Sequence, residues 1–87
     1  MISKEVTVIN SVGLCARPAT YFIKEANTYQ SSIWVECGDR RANAKSLLGV
    51  LSLGIKKDTV INLIANGPDE KEALAGLEAL IVTGFND

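Results

Sequence analysis

Two short stretches of the 87-residue sequence hold the residue types that chemistry needs. In Gly13-Leu14-Cys15-Ala16-Arg17-Pro18-Ala19-Thr20, a thiol, a guanidinium and a proline fall within four residues. Proline suits a helix's first turn, where its missing N–H would have no partner anyway, so Cys15 falls just before or within a helix start. Unpaired N–H groups and the helix dipole favour an anion there, the dipole alone by ~0.3–1 kcal/mol. Cys15 is therefore a candidate nucleophile, and Arg17 a cation able to grip a phosphate or carboxylate with two parallel hydrogen bonds. The plainer alternative makes Cys15 a small buried hydrophobe and Arg17 a solvated charge.

The second stretch is Lys45-Ser46-Leu47-Leu48-Gly49-Val50-Leu51-Ser52-Leu53-Gly54. Ser46 is placed to cap a short helix, which contributes about 1 kcal/mol to folding. A serine at a helix start beside Lys45 also suits regulation, since a phosphate there changes the charge of the adjacent surface. Leu47, Leu48, Val50, Leu51 and Leu53 are more apolar side chains than one short helix directs inward, and an exposed aliphatic cluster points to a partner surface.

The absence of histidine excludes imidazole acid–base chemistry, and two cysteines without metal-ligand spacing argue against a metal site. No metal or cofactor is expected. A formal net charge of -1 removes the broad attraction on which non-specific nucleic-acid binding depends. The opening Met1-Ile2-Ser3-Lys4-Glu5 reaches charge by its fourth residue and no apolar run reaches membrane-spanning length, so a cytoplasmic location is expected, with no membrane insertion.

The elements that must position these residues follow from periodicity. Lys4 to Ile9 is β-branched and roughly alternating, predicting a strand with Val6 and Val8 on one face, and Asn10 to Gly13 predicts a turn. Ala19, Phe22, Ile23 and Ala26 form the buried stripe of a helix, with Thr20, Lys24, Glu25 and Asn27 facing water. Asn27 to Ser32 ends it. Ile33 to Cys37 predicts a second strand, with Gly38-Asp39 as a hairpin returning through a polar strand, Arg40 to Ala44, at a sheet edge. A short helix then runs to Gly54, Lys56-Lys57-Asp58 is a turn, and Thr59 to Ala65 predicts the strongest and most central strand. Asn66-Gly67-Pro68 breaks it before a final helix, Asp69 to Ile81, with Leu74, Leu77 and Ile81 on one stripe and Gly84 as a stop. The pattern predicts one α+β domain over residues 1–87, its helices on one side of an antiparallel sheet. Alone it does not separate this fold from ferredoxin-like or acylphosphatase-like ones.

Both stretches, and the separation between them, resemble the two signatures of HPr, the histidine-containing phosphocarrier of the bacterial phosphoenolpyruvate-dependent sugar phosphotransferase system. Cys15 stands at the histidine position. The resemblance runs the whole chain and implies an open-faced β-sandwich, a four-stranded antiparallel sheet with three helices on one face, in the order βαββαβα. It implies a carrier relaying a phosphoryl group from enzyme I to enzyme IIA components, rather than a free-standing enzyme. On that resemblance Cys15 matches the phosphoryl acceptor, Arg17 the phosphate-steadying arginine, and Ser46 the serine modified by HPr kinase/phosphorylase. That modified serine serves a catabolite-control transcription factor. Thr20, Lys24, Leu47, Leu48 and Leu51 match the family's partner surface. Val12 stands where the family often has a small polar residue that caps the first helix.

Loss of the imidazole excludes relay through histidine, whereas transfer through a cysteine thiophosphate is chemically conceivable though altered in geometry. The expected function is thus a phosphocarrier impaired or altered at Cys15. The alternative is a regulatory adaptor in carbon catabolite repression acting through phosphorylated Ser46. A thiol redox or acyl-carrying domain has only Cys15 in its favour.

Overall fold

The apolar periodicities resolve into four strands and three helices in a computed structural model, which describes residues 1–86; Asp87, the end of the expected domain, lies outside them. The order is β1 (Ile2–Thr7), α1 (Ala16–Asn27), β2 (Ser32–Cys37), β3 (Arg40–Asn43), α2 (Leu47–Ser52), β4 (Val60–Asn66) and α3 (Glu70–Val82), with a short 3-10 turn at Gly84–Asn86. The strands form one antiparallel sheet in the order β1-β4-β2-β3. The polar third strand lies at an edge and the apolar fourth is central, as their compositions predict. No helix among the described residues is long and apolar enough to cross a membrane.

One face of the sheet carries the core. Val6, Ile33, Val35, Ile61, Leu63 and Ala65 alternate inward and meet Phe22 and Ala26 of α1 and Ala73, Leu74, Leu77 and Ile81 of α3. Phe22 is fully buried, a contribution of about 1.5–3 kcal/mol for one side chain. The opposite face carries Ser3, Glu5, Asn62, Trp34, Glu36 and Arg41, with Ile64 buried at its centre, and no helix among the described residues belongs to it.

Several expected details shift. β1 spans Ile2–Thr7 rather than Lys4 to Ile9, because pairing reaches from Ile2 opposite Ala65 to Thr7 opposite Val60. Partner length, which alternation does not encode, sets both ends. Ile23 is half-buried beside the fully buried stripe, while Glu25 is drawn out of water by the Tyr29 hydroxyl, which donates to Glu25 Oε2 at 2.5 Å. That bond, with burial, pushes the Tyr29 pKa up to about 12. The pair sits against α3 where a Cβ at Gly76 would collide with Tyr29 Oη, so the glycine is what lets the two helices approach.

Asp69 begins α3 without capping it. Its carboxylate accepts from the Gln30 and Ser31 amides at 2.8 and 2.9 Å and from Ser31 Oγ at 2.5 Å. The Ser31 hydroxyl and then the Gln30 amide hold its pKa below the usual carboxylate value. Glu70 reaches back to the Gly67 amide at 3.1 Å, an exchange in the manner of a capping box.

Candidate functional site

Cys15 is placed by the turn before it. Asn10 closes that turn twice: Gly13 N–H donates to its carbonyl at 3.2 Å, and its own Nδ2 donates to the Gly13 carbonyl at 2.8 Å. Gly13 has φ +66 and lies so close to the backbone of Ile55 and Lys56 that a Cβ would stand 2.8 Å from Lys56 Cα. Leu14 then donates its N–H to Ile55 O at 3.1 Å and buries its side chain. The chain is pinned up to Leu14 and released at Cys15.

Cys15 is extended (φ -144, ψ 156), exposed, and makes no side-chain cap bond to α1. Ala16 follows at φ 54, in the left-handed region that costs an alanine about 1–2 kcal/mol. Pro18 has no N–H, and among the described residues the Ala16 and Arg17 amides take no hydrogen-bond partner. The helix start is therefore open, with an exposed thiol, two unmet donors and the exposed Arg17 side chain beside it. This arrangement can receive an oxyanion next to a nucleophile.

A groove of about 800 Å3 runs from this point between α1 and α3. Arg17, Tyr21 and Lys24 line it from α1, Val12 from the preceding turn, and Leu80 and Phe85 from the far wall. Val12, half exposed at 52%, offers no cap. Thr20 is exposed, its hydroxyl donating to Ala16 O at 3.3 Å.

Ser46 begins α2 under the opposite conditions. Its Oγ accepts from the Gly49 amide at 3.1 Å and the Val50 amide donates to its carbonyl at 3.0 Å, so the expected cap is present. The segment before it is tied down three times: Lys45 N–H donates to Asn43 Oδ1, Asn27 Nδ2 to Lys45 O, and Lys45 Nζ to the carbonyl of Tyr29 at 2.7 Å. The Lys45 ammonium is thus turned toward the end of α1. Val50 and Leu53 supply the core, while Leu47, Leu48 and Leu51 stand out at 42%, 80% and 40% exposure, the surplus that the sequence implies.

The structure thus brings Arg17 and Lys24 onto one groove that excludes the α2 leucines. The groove's Tyr21, Leu80 and Phe85, and the left-handed Ala16, escape sequence reasoning. Tyr21 sits one residue beyond Thr20 and carries no periodic signal of its own.

This fold and this helix start define the class. The family model "PTS HPr component phosphorylation site" matches residues 2–83, and the chain belongs to the HPr family. Among its relatives, the HPr-like protein Crh of Halalkalibacterium halodurans is 44% identical over 81 residues, covering 93% of this chain and 96% of that protein. Phosphocarrier protein HPr of Haemophilus influenzae is 43% identical over 83 residues, covering 95% and 98%. A solved HPr structure from Thermoanaerobacter tengcongensis superposes with a TM-score of 0.98 at 40% identity, covering 100% of this chain and 98% of that one. The sheet and helices are those of an open-faced β-sandwich, as the resemblance implies.

Proposed function

We propose that this chain is a regulatory member of the HPr family that takes a phosphoryl group at Ser46. The observation that carries the reading is the pairing of a histidine-free chain with an intact, pinned Ser46 beside three exposed leucines. A kinase of the HPr kinase/phosphorylase kind would transfer the γ-phosphoryl of ATP to Ser46 Oγ. The O–P bond forms as the γ-phosphate's bond to ADP breaks, and the hydroxyl proton leaves to base. The dianion then stands against Leu47, Leu48 and Leu51, where a catabolite-control transcription factor would read charge and apolar surface together. The HPr-like Crh proteins among the relatives support this reading.

A second reading rests on the α1 start. Cys15 is exposed beside two unmet amides and Arg17, which supports phosphoryl transfer from enzyme I to an enzyme IIA through a cysteine thiophosphate. Its partners would use Thr20 and Lys24.

Intact-mass measurement separates the two. With HPr kinase and ATP, one phosphate is expected on the wild type and none on Ser46→Ala; no phosphate on the wild type overturns the first reading. With enzyme I and phosphoenolpyruvate, an adduct lost in Cys15→Ala supports the relay, and an unmodified chain removes it.

A further inference from the structure

The uncovered sheet face has an internal order. Across the strands in the sequence β1, β4, β2, β3, one row reads Ser3, Ile64, Trp34, Asn43 and the next reads Glu5, Asn62, Glu36, Arg41. The first row is apolar at its centre and polar at its ends. The second runs from an acid at one edge to a base at the other. Arg41 grips Glu36 through Nε and Nη2 at 3.0 and 2.6 Å, and Asn62 Nδ2 donates to Glu36 Oε1 at 3.4 Å. Glu5, at the far edge, is exposed and makes no ion pair among the described residues.

We propose that this face binds a second copy of the same chain, sheet against sheet, with the two-fold axis running along the strands. That axis reverses each row. Glu5 then lies over Arg41 of the second copy, Asn62 over its Glu36, and Ile64 over its Trp34, so the apolar centres meet while the opposite charges close both edges. The alternative axis, across the strands, stacks β1 on β1 and sets acidic edge against acidic edge and basic against basic. Charge therefore selects one of the two arrangements. A shallow recess of about 290 Å3, lined in part by Ser3, Asn62 and Ile64, lies beneath the position of the second copy's Trp34.

Four strands spaced ~4.8 Å apart and about six residues long present a face of roughly 400 Å2, half the ~800 Å2 that each partner buries in a stable complex. The association is accordingly weak and concentration-dependent. The helices lie on the other side of the sheet, so Cys15 and Ser46 of both copies remain accessible in the pair.

Sedimentation of the purified chain from about 20 µM to about 2 mM tests the proposal, with NMR shifts followed across the same series. The average mass is expected to rise toward that of a dimer, with shifts centred on Asn62, Ile64 and the indole of Trp34, the sole tryptophan. Glu5→Arg sets arginine over arginine and should weaken association by at least about tenfold; Glu5→Arg with Arg41→Glu should restore it. A mass that stays monomeric throughout overturns the proposal. So does a dimer indifferent to Glu5→Arg, as one made by exchange of β1 would be, and so do shifts centred on Leu47, Leu48 and Leu51. Should the Arg41 variant unfold, the wild-type shift map and Glu5→Arg decide.

Discussion

The starts of α1 and α2 share an extended cap residue and little else. At α2 the cap is closed: Ser46 accepts from Gly49, and Lys45 is held by Asn27, Asn43 and Tyr29. At α1 the turn is pinned as far as Leu14, and then Cys15 makes no cap bond and Ala16 adopts φ 54. The closed start gives its donor to folding. The open one leaves two donors unmet and holds a strained alanine, which a stability requirement alone does not explain. A helix end that keeps its donors for a ligand must be held by something else, and here the bond between Leu14 and Ile55 does that.

The largest effect on this contrast is expected at Gly13. Gly13→Ala drives a Cβ into the backbone of Ile55 and Lys56 at a positive φ, and should cost about 2–4 kcal/mol by urea denaturation. A loss under about 1 kcal/mol would show that the turn yields and does not pin the site. Next come the caps themselves. Ser46→Ala should cost about 1 kcal/mol, and Cys15→Ala less than about 0.5 kcal/mol, because only the first loses a cap bond. Equal losses in the two melts would erase the distinction. The smallest effect has the opposite sign. Ala16→Gly relieves the left-handed strain and should raise stability by about 0.5 kcal/mol, net of glycine's larger unfolded entropy.

What could be read from the residues beforehand divides along the same line. Phe22 and Ala26 recur at helical spacing, Ser46 precedes an apolar run, and Arg40 to Ala44 is too polar for a central strand; each signal is local and holds, the edge strand ending one residue earlier at Asn43. The two motifs carried the family because Lys45-Ser46 and the stretch around Cys15 keep their family spacing. Alternation alone does not place the ends of β1, because they depend on β4, more than fifty residues away. The half-burial of Glu25 depends on Tyr29, and the fit of that pair against α3 on Gly76; neither is visible in a stripe of α1. The left-handed Ala16 was hidden most completely. Alanine is the best helix former, and nothing in its neighbours announces a residue bent out of the helical region.

Asp69 also makes the fold sensitive to acid. Three hydrogen bonds join its carboxylate to the loop after α1, across 38 or 39 residues of chain, and all of them favour the ionised form. Because its folded pKa lies below the unfolded one, the stability it contributes is present above the ordinary carboxylate value of about 3.9 and is lost as pH falls through the depressed one. Glu36, held down chiefly by Arg41, and Glu70, held down by the Gly67 amide, titrate in the same direction. The melting temperature should fall as the solution is acidified from about pH 5 through that window, and Asp69→Asn should flatten the fall. A curve equally steep in both proteins would place the sensitivity elsewhere. With no histidine to titrate near neutrality, the chain's response to acid belongs to its carboxylates, while the raised Tyr29 hydroxyl adds a loss of stability in base as pH rises above the ordinary tyrosine value of 10.0.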